Sequence, residues 1–303
     1  MARRRTAGDF IHVTKTLLVF SAAVLLAGCN TADSTAPAEP PPSAVYRGFD
    51  TSIYPGDAAM TVWKKASPYK WSGYYLPAPC HRDPSWSGKR AFLEGLGFGI
   101  AVIYVGQQTF DDVPDILADR IGAIDVPDIL ADRIGAIDVP DAIAPATATV
   151  TCSRTLLTSD QGNADAQDAI AKASAEGFPP QTVIFLDVEH MDSVTTAMDS
   201  YYRAWAKTVI ASKYRPGVYV HKSNAPTIYA GYSEIFHEAG VTASPRFWLT
   251  TQTGFSLDKK PTDIGYPFAN LWQGILDTDE TWGGVPLHID VDLSDRVSPS
   301  APD

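Results

Sequence analysis

The sequence predicts an α/β chain folded as a (β/α)8 TIM-type barrel, and three observations carry that prediction. The segment from Val45 to Val297 has the ~250 residues usual for this barrel, enough for one large core. Within it, short apolar, β-branched and aromatic runs alternate with helical patterns, the order expected of a parallel sheet. Carboxylates and a Trp-Gln pair stand at the ends of several runs, where such barrels gather their functional groups.

Tyr46 to Asp50 reads as the first strand and Asp57 to Lys65 as a helix. Trp71 to Leu76 is a strand, and Ser87 to Leu96 a helix closed by Gly97. Gly99 to Val105 is an almost continuous apolar run and so a buried strand. The helix Asn163 to Glu176 repeats Ala and Ile at helical spacing and is stopped by Gly177. Thr182 to Asp187, after Pro179-Pro180, is the sharpest strand signal. Val194 to Tyr214 is the longest helical pattern, with Tyr201, Trp205, Val209 and Ile210 on one stripe. Gly217 to Val220, Arg246 to Thr250, Ala269 to Gln273 and Leu287 to Val291 complete eight strands, with a partly helical Asn224 to Ala239 between the first two. The helix between the last pairs is weakly marked, which leaves an irregular or incomplete closure open.

The termini and loops carry an address. Arg3, Arg4, Arg5 and Lys15 precede an apolar core from Leu17 to Ala27, too short for the ~20 residues that span a bilayer. It ends in Leu26-Ala27-Gly28-Cys29, which resembles the lipobox of bacterial lipoproteins, so residues 1–29 are expected to be an export signal and Cys29 the lipidated N-terminus. Arg4-Arg5 leaves the twin-arginine route open. Residues 30–44, rich in Pro, Ala, Ser and Thr, read as a tether. Removing the leader, with four basic residues against Asp9, takes the formal charge from −11 to −14. Such acidity argues against nucleic acid as a partner. In an oxidising compartment the two remaining cysteines, Cys80 and Cys152, are expected to be bridged. Residues 112–124 recur unchanged as 125–137, a 13-residue tandem insertion in the loop after the third strand. Its even apolar stripe suits short surface helices, with a substrate lid or docking arm as the alternative. Nothing in the chain specifies an oligomeric state.

The chemistry lies at the strand ends. Asp187 and Glu189 are two residues apart, so they point to one side of a strand, roughly 6–7 Å apart at about 3.3 Å per residue. Facing carboxylates suit glycoside hydrolysis, where one acid protonates the leaving oxygen and another stabilises or attacks the sugar. Crowded acids also repel, which raises one pKa and keeps a proton available near neutral pH. Tyr54, Tyr75, Tyr104, Tyr219, Trp248 and Trp272 supply flat rings near strand ends for a sugar cleft, although such rings are also ordinary core. His190 adjoins Glu189 but alternates to the other side. Asp290 to Asp295 imitates a calcium loop, yet Asp295 stands where Gly is needed and no terminal Glu follows, so neither a metal nor a cofactor is expected.

These stretches resemble a known family. Gly48-Phe49-Asp50-Thr51-Ser52, Asp187-Val188-Glu189, Trp272-Gln273 and Val291-Asp292-Leu293-Ser294 resemble, in order, the Gly-Ile-Asp-Val-Ser, Asp-x-Glu, Trp-Gln-Tyr and Val-Asp-x-Asn motifs of glycoside hydrolase family 25, the lysozyme-like muramidases. Gly48 to Pro55 and Trp71 to Leu76 are more similar to a related secreted glycoside-hydrolase-like group, which includes members without demonstrated activity. The resemblance implies Glu189 as general acid, and Asp187 as the group facing the N-acetyl substituent or the oxocarbenium-like transition state. It implies Asp50 and Asp292 at the same mouth, with Gln273 and Asp290 beside them, Asp290 being a rival for the place of Asp292. Ser294 and Gly274 depart from the family's Asn and Tyr. The expected function is hydrolysis of cell-envelope glycan by a membrane-anchored lipoprotein, the alternative a non-catalytic glycan-binding or regulatory module on the same fold.

Overall fold

A computed structural model describes residues 44–110 and 152–302. The leader, Cys29, nearly all of the tether and the tandem insertion lie outside those residues. Among the described residues no helix is long and apolar enough to cross a membrane.

The chain forms a closed eight-stranded barrel in sequence order. It runs β1 (Tyr46–Asp50), α1 (Asp57–Ala66), β2 (Trp71–Leu76), α2 (Arg90–Leu96) and β3 (Gly99–Val105), then α3 (Ser159–Ala175), β4 (Val183–Val188) and α4 (Thr196–Ile210). After these come β5 (Arg215–His221), α5 (Ala225–Glu238), β6 (Arg246–Thr250), β7 (Ala269–Trp282) and β8 (Val285–Ser294). Local chemistry sets the boundaries. The hydroxyls of Thr158 and Thr195 accept from the amides of Gln161 and Met198, so α3 and α4 begin just after them. Gly97, at φ 86°, ends α2 in the left-handed region.

The expectation of a wholly parallel barrel needs one correction. Neighbouring strands from β1 to β7 pair in parallel, but β8 is antiparallel to both β7 and β1. The cause is the Gly283-Gly284 turn. Both glycines have positive φ, 59° and 82°, as a two-residue hairpin turn requires, and Trp282 pairs directly with Val285. The chain therefore returns at once, with no crossover helix, and both strands are longer than their sequence signals.

Strand alternation divides the core into two layers. Trp71, Ile103, Phe185, Trp248 and Leu271 pack inside the barrel, with Trp71 and Phe185 edge-on to Trp248 at 5.6 and 5.8 Å between ring centres. The alternate residues, among them Phe49, Tyr104, Leu186 and Trp272, pack outward beneath the helices. Gly48 leaves room for the Trp71 indole, since a Cβ there would lie 2.0 Å from that ring. At the N-terminal end of the barrel, the chain beyond β8 seals the floor. Ser300 bonds Ile100 and Val183 through its backbone, and the Arg246 guanidinium donates to the carbonyls of Pro299 and Ala301. The opposite end is left for the site.

Candidate active site

At the C-terminal ends of the parallel strands the inward positions are Asp50, Tyr75, Asp187, Tyr219, Thr250 and Gln273, with Glu189 just beyond β4. Because β8 runs the other way, its residues enter from above. Asp290 pairs with Asp50 at the mouth, whereas Asp292 pairs with Gly48 one layer down. Four strands thus bring five carboxyl groups into one space.

Neutral donors hold this cluster. The Tyr75 hydroxyl donates to Asp50 Oδ1 at 2.6 Å, and Gln273 Nε2 donates to both Asp50 Oδ2 and Asp290 Oδ2, at 2.9 and 3.0 Å. The Tyr219 hydroxyl fixes that amide by donating to Gln273 Oε1 at 2.6 Å. The Asp277 amide donates to Asp290 Oδ1 at 2.7 Å, and Trp248 Nε1 to Asp292 Oδ1 at 2.9 Å. Gln108, buried after β3, ties down the end of β4 by donating to the Asp187 carbonyl and accepting from the Glu189 amide, at 3.0 and 3.2 Å.

Burial is the largest influence on all five carboxyls and favours their neutral forms. Glu189, partly exposed at the rim, is raised to about 7 by burial and by the charge of Asp50. Asp290 is raised to about 8 by burial and then by Asp50. Asp187 is held well above the usual carboxylate range by burial, then by Glu189 and Asp50. Asp292 is likewise raised well above it, by burial and then by Asp50. Asp50 is raised by burial, but the bonds from Tyr75, Asp292 and Gln273 oppose that rise. Asp292 is therefore the acid that donates and Asp50 the carboxylate that accepts. Chemically, the mouth offers a proton at Glu189 near neutral pH beside groups able to stabilise positive charge.

The structure does not bring every expected residue here. Trp248 and Asp292 lie on the floor rather than at the rim; both are buried, and the reversal of β8 puts Asp292 below Asp290. Tyr104 and Trp272 occupy outward positions of β3 and β7, and so pack outside the barrel. Tyr104 donates to Asp168 on α3, while Trp272 donates to the Thr251 carbonyl and lies edge-on to Phe255. Tyr54 packs edge-on to Trp86 and donates to Asp57 at the head of α1, again away from the mouth. Gly274 stands where the muramidase motif has Tyr, and Phe255 takes the space, since a Cβ at 274 would lie 1.9 Å from its ring. His190 packs its ring against His221, 4.5 Å away. Cys80 and Cys152 form a disulfide that joins the loops after β2 and β3. Gln108 and Thr250 were not anticipated. A polar pair, Gln107-Gln108, directly after an apolar strand is the signal that could have found the first.

In fold the chain is similar to an uncharacterised B. stearothermophilus protein, at 15% identity and a TM-score of 0.50 over 83% of this chain and 96% of that one. Looser likenesses include the Mycobacterium tuberculosis Tat-secreted protein Rv2525c (15% identity, TM-score 0.42, 82% and 94% covered). Another is the Clostridium perfringens spore cortex lytic enzyme SleM (10% identity, TM-score 0.47, 82% and 67% covered). No curated protein matches the chain. Residues 61–294 match the Rv2525c-like, glycoside hydrolase-like domain, and the chain belongs to that family.

Proposed function

We propose that this protein is an exported, lipid-anchored glycoside hydrolase that cuts β-1,4-linked amino sugars of the cell envelope, with peptidoglycan-like glycan as its substrate. One observation carries the reading. Glu189, raised to about 7, retains a proton near neutrality at the open rim, directly above the inward-facing Asp187. Glu189 protonates the glycosidic oxygen, and Asp187 faces the developing positive charge on the sugar. Asp50 and Asp290, bridged by Gln273, keep the cleft electronegative, and Tyr75 and Tyr219 flank it. Cys29 supplies the anchor, and the Cys80–Cys152 bridge suits an oxidising compartment.

Zymography of the purified protein on cell wall, with reducing-end release and retention on the same glycan measured in parallel, tests the reading. Clearing accompanied by new reducing ends is expected. Retention without reducing ends replaces hydrolysis with the glycan-binding module. For the anchor, Cys29→Ala is expected to leave the detergent phase; recovery there equal to the parent's removes the lipid from the account.

A further inference from the structure

We propose that the mouth selects an amino sugar whose 2-amino group is free and protonated, with the Asp187 carboxylate as its partner. This rests on the reading of the mouth as a glycan cleft and narrows the substrate class within it.

Asp187 is 8% exposed, and its Oδ1 has no hydrogen-bond partner. A buried, unpaired carboxylate oxygen is costly, and a ligand that donates to it removes the cost. Around it are four further carboxyls, and their strongest neighbours are one another and neutral donors. Among the described residues, no Lys or Arg takes an inward position at the C-terminal end of a strand. Arg215 and Arg246 have inward positions only at the opposite ends of β5 and β6. The cluster thus lacks a cation. Nor is a metal ion suited to it, since no group of three His, Cys, Asp or Glu among the described residues is arranged to hold one.

The donors already present are engaged. Tyr75 donates to Asp50, Tyr219 to Gln273, Trp248 to Asp292, and the Gln273 amide to both Asp50 and Asp290. An N-acetyl group brings a carbonyl oxygen that needs a donor, and offers only one N–H in return. An ammonium brings three donors and a charge of the right sign to a site with acceptors in excess. Losing its hydration is costly, but the fold has already stripped water from the carboxyls that receive it, so the partner side is preorganised.

The test compares binding of tetra-glucosamine and tetra-N-acetylglucosamine to the full chain by calorimetry, at about pH 6 where an ordinary amine is protonated. The free-amine tetramer is expected to bind at least about tenfold more tightly. Asp187→Asn is expected to erase that preference while leaving the affinity for the acetylated tetramer within about threefold. Equal or tighter binding of the acetylated tetramer by the parent overturns the inference and, if that tetramer is cleaved, leaves the hydrolase reading intact. Binding of neither overturns both. A preference for the amine without any reducing-end release upholds the inference and removes hydrolysis.

Discussion

β4 and β8 reach the same mouth from opposite directions, and each brings two inward-facing acids. On β4 the chain runs toward the rim, so the later acid, Glu189, is the more exposed, and Asp187 lies beneath it. On β8 the chain runs away from the rim, so the earlier acid, Asp290, meets Asp50, and Asp292 goes to the floor beside Trp248. The same acid-x-acid spacing therefore yields different stations. What decides them is chain direction, set for β8 by two glycines at the tip of the β7–β8 hairpin.

The comparison is broken most forcefully by amide substitutions on the two strands. Asp187→Asn removes the negative partner of the transition state and is expected to lower turnover by about 10²-fold or more. Asp292→Asn should lower it by less than about tenfold, because the carboxamide imitates the neutral acid already present. Its oxygen accepts from Trp248 and its nitrogen donates to Asp50, as the protonated Asp292 does. Equal losses in reducing-end assays of the two variants would remove the distinction between mouth and floor.

A second contrast concerns what holds each side of the mouth. The loops after β2 and β3 are joined by Cys80–Cys152, 72 residues apart in sequence, whereas β7 and β8 are held by their hairpin ladder. Replacing both cysteines with Ser is expected to cost about 2–4 kcal/mol, measured by denaturant unfolding. An unchanged midpoint would mean that the bridge constrains nothing the ladder does not.

The smallest expected effect is on stability against pH. Glu189 and Asp290 have folded pKa values of about 7 and 8, against 4.5 and 3.8 for the free groups. Between those limits the folded chain holds more protons than the unfolded one, so stability falls as pH rises from about 4 to about 8. Melting should come several degrees lower at about pH 8 than at about pH 5. Asp290→Asn, which cannot ionise, should reduce that difference, and a parent curve flat across this range would contradict the burial of the cluster.

Much of this arrangement is legible in the sequence, for an identifiable reason. Apolar runs with inward polar ends place Asp50, Asp187 and Glu189 because parallel strands all present their C-terminal ends to one face. Alternation in Ile289-Asp290-Val291-Asp292-Leu293 also assigns inside and outside, but a period of two is unchanged when the strand is reversed, so it is silent on depth. Gly283-Gly284 after a weak helix signal was the available clue to the reversal. Tyr104 and Trp272 illustrate a different loss. Aromatic identity at a strand end suggested a sugar platform, yet their position parity relative to Ile103 and Gln273 sends them under the helices. Gln108 was missed because its role depends on where the end of β4 lies, 79 residues away.

The central claim is that Glu189 delivers a proton at the mouth, and its most direct test is reducing-end release from purified peptidoglycan by the parent and Glu189→Gln across pH. The parent should lose activity as pH rises through about 7, where Glu189 gives up its proton. Glu189→Gln, which keeps the shape but has no proton to give, should fall about 10²–10⁴-fold while still binding the glycan. Undiminished hydrolysis by Glu189→Gln, or a parent that releases no reducing ends at any pH, would contradict the account.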